Sequence, residues 1–131
     1  MPLVRISLGA HRSAADRRAI ADTVQQALVD VFDVPPDDRF QIITAHGPEE
    51  LIYDRHYLGI DRSDDFIAIQ ITCSATRTLA QKRALYARIA DQLYFAAGVR
   101  PEDVFINLVE VRQEDWSFGN GRAQYVAHVP A

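Results

Sequence analysis

The chain repeats itself. Val34-Pro35-Pro36-Asp37-Asp38-Arg39-Phe40 returns 65 residues later as Val99-Arg100-Pro101-Glu102-Asp103-Val104-Phe105. The same offset lays Arg12-Ser13-Ala14-Ala15-Asp16 on Arg77-Thr78-Leu79-Ala80-Gln81. Each of these segments has a Ser or Thr followed three residues on by Asp or Gln, the pattern of a helix N-cap with its reciprocal cap. Ile20, Val24 and Leu28 then fall on Leu85, Ile89 and Leu93, so each half carries one apolar helical face.

Strand signals flank both helices. Val4, Ile6 and Leu8 alternate with Leu3, Arg5 and Ser7, and Ile67, Ile69 and Ile71 alternate with Ala68, Gln70 and Thr72. After the Pro turns come Phe40-Gln41-Ile42-Ile43-Thr44 and Phe105-Ile106-Asn107-Leu108-Val109, with Gly98 as the stop of the second helix. Each half therefore reads strand, helix, strand, and the helical crossover makes its two strands parallel and right-handed. The fold class is α/β, in its α+β form: two βαβ repeats, about 2–45 and 66–110, related by a pseudo-twofold axis. Together they give a four-stranded mixed sheet with two helices on one face.

One domain, 1–131, is expected, with a tail over 111–131. The Asn120-Gly121 turn signal and Gln124-Tyr125-Val126-Ala127 suggest an extra C-terminal hairpin or strand that could reach a neighbouring subunit. The second sheet face is also apolar in places, through Phe105 and Val109, and self-association is the simplest way to bury it. Between the halves, Leu51, Ile52, Tyr53, Tyr57 and Leu58 suggest a packed excursion.

At 131 residues there is no room for two lobes or a barrel of eight strands. Residues are 48% apolar and 24% charged, with 14 Lys+Arg against 18 Asp+Glu in no basic stripe. A folded core is thus expected and a nucleic-acid partner is not. No stretch approaches the roughly 20 apolar residues of a membrane span, and nothing resembles a secretory leader, so a cytoplasmic location is expected. The single cysteine, Cys73, lies in an apolar strand and reads as a core residue.

Several chemistries lack their signatures. His11, His46, His56 and His128 show neither His-x-x-x-His spacing nor cysteine partners, so no metal is expected. Gly119-Asn120-Gly121 lacks the setting of a dinucleotide loop. Asp61, Ser63 and Asp65 lack the Gly and Glu of a calcium loop, and Ser74 sits in no nucleophile elbow. No cofactor is expected.

Pro2 remains. Removal of Met1 by an aminopeptidase would leave a free secondary amine. Such an amine is a base in an apolar pocket, a cation beside a carboxylate, and a nucleophile able to form an iminium. The topology gathers partners for it. Pro2 begins the first strand, Asp38 precedes the parallel second strand, and Arg77 ends the antiparallel third strand just before a helix N-terminus that favours anions. Amine, carboxylate and guanidinium should share one rim.

With these features on the page, the chain resembles the tautomerase superfamily, in particular its malonate semialdehyde decarboxylase branch. The resemblance is carried by Pro2, the Val-Pro-x-Asp turn at Asp38, Asp38-Arg39-Phe40-Gln41, Leu58-Gly59-Ile60-Asp61-Arg62-Ser63, Asn107-Leu108-Val109-Glu110 and Asp115-Trp116-Ser117-Phe118-Gly119. It implies a homotrimer, a catalytic Pro2, Arg77 on the substrate carboxylate, Asp38 acting on a proton or water, and an apolar wall from Trp116 and Phe118. It also implies a small 3-oxo or 2-oxo carboxylate as substrate. The family's best-known decarboxylases carry two Arg two residues apart, whereas here Ala75 stands two before Arg77.

Three functions follow as expectations. The leading one is cofactor-independent decarboxylation of malonate semialdehyde to acetaldehyde and carbon dioxide, with accompanying hydratase activity. A neutral Pro2 would instead make a phenylpyruvate-type keto-enol tautomerase. A trimeric interaction protein without catalysis is the third.

Overall fold

A computed structural model describes residues 1–126. The elements run β1 (Leu3–Gly9), α1 (Ala14–Phe32), β2 (Gln41–His46), β3 (Ile67–Ser74), α2 (Leu79–Ala97) and β4 (Val104–Val111). Short 3₁₀ turns occupy Tyr57–Gly59, Pro101–Asp103 and Gln113–Asp115. Both helices start where the caps predict. The Ser13 side chain accepts from the Asp16 backbone N–H, and Thr78 and Gln81 form a full reciprocal box. Their ends differ in kind. Gly98 takes the left-handed conformation after α2, whereas Asp33, one of the few side chains that tolerate it, does so after α1.

The sheet order is β2-β1-β3-β4, with β1 parallel to β2, β3 parallel to β4, and β1 antiparallel to β3. This is the pseudo-twofold arrangement read from the repeat. The central register obeys the repeat residue by residue. The 65-residue offset carries the pair Val4↔Ile71 onto Ile69↔Ile6 and carries Arg5↔Gln70 onto itself, so the axis passes through that last pair.

One face of the sheet is dry. Val4, Ile6, Leu8, Ile67, Ile69, Ile71 and Cys73 are buried against Ile20, Val24 and Leu28 of α1 and Leu85, Ile89 and Leu93 of α2. The opposite face leaves Phe40, Ile42, Phe105 and Val109 37–49% exposed.

Two expectations need correction. In the excursion between the halves, Tyr53 stacks on buried Phe66 at 4.1 Å, but Ile52, Tyr57 and Leu58 point outward, 88%, 64% and 80% exposed. Their apolar character follows from no contact within the chain. After β4, Gln124-Tyr125-Val126 forms a turn and bend, not a strand, and Ala127 lies outside the described residues. The sheet's edge strands are β2 and β4, but the described part of the tail pairs with neither, and the Gln124 side chain closes it into a turn instead.

Two substitutions calibrate the core against the cap. Leu93→Ala should cost about 2–5 kcal/mol through the cavity it leaves. Thr78→Ala should cost about 0.5–2 kcal/mol. Urea unfolding at fixed protein concentration measures both, and the order should not reverse.

Candidate active site

The three strands that meet at one rim place the candidate residues as the topology requires. Parallel pairing sets the start of β2 beside the start of β1, where the Val4 N–H donates to the Phe40 carbonyl at 2.9 Å. Antiparallel pairing brings the end of β3 to the same place, since Leu3 lies opposite Thr72. Pro2 is buried there.

Asp38 is held by its turn. Its N–H donates to the Pro35 carbonyl at 2.9 Å, and buried Gln25 of α1 donates to the Asp38 carbonyl at 3.2 Å. The backbone is thus pinned while the carboxylate stays free. Oδ2 lies 3.9 Å from the Met1 amine, with the Asp38 side chain 11% exposed. Oδ1 is buried and finds no hydrogen-bond partner among the described residues. Burial pushes the Asp38 carboxyl above its ordinary range, and the charge of the chain's amine pulls it partly back.

Beside this pair is a cavity of about 220 Å³, lined by Met1, Pro2, Leu3, Phe40, Trp116, Ser117 and Phe118. Its wall is a run of aromatic contacts. Trp116 stacks on Phe118 at 5.5 Å, Phe118 meets Phe40 at 6.5 Å, and Tyr125 meets Phe118 edge-on at 4.7 Å. The turn that carries the wall is held by Gln124, which accepts from the Phe118 N–H at 2.9 Å and donates to the Gly119 carbonyl at 2.7 Å. Trp116 Nε1 is buried without a partner among the described residues, a second unspent polar atom at this rim.

Arg77 reaches the same end but lies outside the cavity lining. Its guanidinium donates to the Phe32 carbonyl at 2.8 Å and sits 4.8 Å over the Phe32 ring, so the C-terminus of α1 anchors it. It directly precedes Thr78, the N-cap of α2. The Tyr125 hydroxyl feels the charges of both Asp38 and Arg77, and burial raises its pKa.

Pro2, Asp38, Trp116 and Phe118 therefore come together, with Arg77 at their edge. Sequence reasoning missed two residues here. Phe40 was legible as the aromatic two positions after Asp38. Tyr125 was read as a strand residue, and only the tail's path shows it closing the aromatic wall.

Two family models described as tautomerase enzyme match the chain, one over residues 38–119 and the other over residues 2–60. The chain belongs to the tautomerase family. Probable tautomerase YusQ of Bacillus subtilis (strain 168) is 44% identical over 126 residues, spanning 96% of this chain and 99% of that protein. Among solved structures, the FG41 malonate semialdehyde decarboxylase inhibited by 3-bromopropiolate is 44% identical, with a TM-score of 0.89 over 98% of this chain and 99% of that one. Another malonate semialdehyde decarboxylase, solved as wild type, mutant and inactivated protein to explain decarboxylase and hydratase activities, is 34% identical. Its TM-score is 0.88 over 94% of this chain and 95% of that one. This member of the family resembles that branch of the superfamily. Among the described residues, no helix is long and apolar enough to cross a membrane.

The state of Asp38 makes a stability prediction. A carboxyl whose pKa is raised by folding binds its proton more tightly in the folded than in the unfolded chain, so its contribution to stability falls as pH rises through the folded value. Asp38→Asn should therefore raise the melting temperature at pH 7–8. The gain should shrink as pH falls into the ordinary carboxylate range, where both proteins are neutral at this position. Thermal melts across pH test the sign.

Proposed function

We propose that the protein is a cofactor-independent decarboxylase of small 3-oxo acids, converting malonate semialdehyde to acetaldehyde and carbon dioxide, with Pro2 as the catalytic amine after removal of Met1. The observation that carries this reading is the Asp38 carboxylate, 11% exposed and 3.9 Å from the amine of Met1, the residue before Pro2, beside an aromatic cavity that Pro2 lines. A carboxylate there favours the cationic amine, which suits a hydrogen-bond donor over a base, whereas iminium formation requires the amine first to give up that proton.

In this mechanism Arg77 holds the substrate carboxylate. The bond between that carboxylate and the methylene carbon breaks, and its electron pair moves into a carbon–carbon double bond as the aldehyde oxygen takes up charge. Cationic Pro2 stabilises that oxygen by hydrogen bonding, or, as an iminium, receives the electron pair as an enamine. A proton then returns to the methylene carbon and acetaldehyde leaves; on the iminium route it leaves only after water adds to the product iminium, replacing the water expelled when the iminium formed and freeing the Pro2 amine. The wall of Trp116, Phe118 and Phe40 favours the loss of charge as carboxylate becomes carbon dioxide. Tyr125, within electrostatic reach of both Asp38 and Arg77, supplies a phenolic donor that supports the single Arg where Ala75 leaves no second one. Asp38 also serves as the activator of water in a hydratase reaction.

A second reading draws on the same cavity. Its apolar lining favours a neutral amine. Neutral Pro2 would act as a general base in keto-enol tautomerisation of a phenylpyruvate-type acid, in keeping with the name of the Bacillus relative.

The active assembly is proposed as a homotrimer. Phe40, Ile42, Phe105 and Val109 on the uncovered sheet face are the apolar surface that neighbouring copies would bury. A fused 4-OT protein solved as a symmetric trimer has the same fold, at a TM-score of 0.77 and 18% identity.

Pro2→Ala and Arg77→Ala should each lower kcat/KM on malonate semialdehyde at least a hundredfold while leaving the sedimentation coefficient unchanged; full activity in either variant overturns the decarboxylase assignment. Intact mass should show the chain without Met1. NMR titration of the Pro2 amine decides between the readings, with a pKa well above neutrality for the decarboxylase and one below it for the tautomerase.

A further inference from the structure

The repeat builds a second copy of the site at the opposite rim. It pairs Asp38 with Asp103, Phe40 with Phe105 and Arg77 with Arg12. The chain fills this copy itself. Fully buried Asp103 accepts from the Ser63 N–H at 2.7 Å and from its hydroxyl at 2.6 Å. Buried Arg12 donates to the Asp65 carbonyl and to the Asp16 carboxylate, both at 2.8 Å. Residues 63–65 are thereby clamped from both ends.

The other side of this clamped segment borders a cavity of about 490 Å³ at the C-terminal ends of β1 and β2, where His11, His46, Pro48, Leu51, Tyr53 and Arg55 line it. The seven-residue length of β1 puts roughly 20 Å between it and Pro2. Its volume falls within the usual range of small-molecule sites.

The hydrogen bonds already made define what this cavity would take. Asp65 is paired with His11 at 2.8 Å and Asp64 with Arg55; both acids, 60% and 86% exposed, also line the cavity, each with its charge offset by that partner. The groups left over are donors. Arg55 uses only Nη2, on Asp64, which leaves Nε and Nη1. His46 Nε2 is buried and has no partner among the described residues, and in its protonated tautomer it donates. Pro48, Leu51 and the Tyr53 ring, over which the Arg55 guanidinium sits at 5.1 Å, form the apolar part of the lining. Tyr53 is fixed by its stack on Phe66 and by its hydroxyl on the Ser63 carbonyl. Among the described residues no three His, Cys, Asp or Glu side chains come together to hold a metal ion.

We propose that this cavity is a second small-molecule site, separate from the one at Pro2, for a monocarboxylate with an apolar body. Arg55 and His46 bind the carboxylate as charge-assisted and neutral donors, and Leu51, Pro48 and Tyr53 cover the apolar part. The site stands on its own residues and does not depend on which reaction occurs at Pro2.

Phenylacetate, titrated into the intact protein and followed by the imidazole signals of His46 in NMR, tests it. The signals should shift saturably, and should still do so in Arg77→Ala, which removes the carboxylate grip at the first site. Arg55→Gln, a change on a side chain 47% exposed, should weaken the binding at least tenfold, and neutral phenylacetamide should bind wild type at least tenfold more weakly than phenylacetate. The proposal is overturned by His46 signals that do not respond, by equal affinity in Arg55→Gln, by equal affinity for the amide, or by loss of the response in Arg77→Ala.

Discussion

The antiparallel pairing of β1 with β3 is the constraint from which the rest follows. Each half, a strand-helix-strand unit, has one apolar helix and two strands, too little to close a core alone. Joined across Arg5↔Gln70, the halves set Val4, Ile6 and Leu8 beside Ile67, Ile69 and Ile71 on one face, and two helices cover what neither could cover singly. A slip of one residue would turn each of these side chains to the wrong face. The register is therefore fixed by burial, and its centre is Arg5↔Gln70, a pair that the internal repeat maps onto itself.

That pairing also creates the rims. Because β1 runs against β3, the start of each lies at the end of the other, and the residues just outside the strands gather at two opposite edges. At one edge are Pro2, Asp38 and Arg77. At the other are Ile67, Asp103 and Arg12. What separates their fates is the covalent chain. The excursion over 47–65 leads into β3, and its last residues occupy the second copy through Ser63 and Asp65.

The strands, helices, caps, topology and shared rim were legible in the sequence because each rests on local periodicity or on the repeat, and both are properties of residue order. The tail was not legible. An Asn-Gly pair and a Gln-Tyr-Val run suggest a hairpin, but whether such a run pairs depends on a free edge beside it, which no local pattern encodes. Gln124 instead closes a turn on Phe118 and Gly119, and so brings Tyr125 to the wall. The excursion was half legible for the same reason. Tyr53 found Phe66, while Ile52, Tyr57 and Leu58 have the composition of a core and the exposure of a surface. The anchor of Arg77 was hidden altogether, since it is a backbone carbonyl at Phe32, and a carbonyl leaves no mark on a sequence.

The two aspartates related by the repeat differ in how burial leaves them. Asp103 has lost all contact with solvent, yet it is repaid by two hydrogen bonds from Ser63 and an ion pair with Arg100 at 3.6 Å. Nothing about it is left unsatisfied. Asp38 is nearly as deep, with one oxygen unpartnered and only the chain's amine, 3.9 Å away, to offset its charge. Burial of an unsatisfied carboxylate is unfavourable for folding, and a fold that needed only a turn there could have used Asn or Ser. Folds tolerate such local conflict mainly where function demands it. The contrast within one chain, between identical residues at equivalent positions, thus argues for chemistry at Asp38 more strongly than its burial alone would.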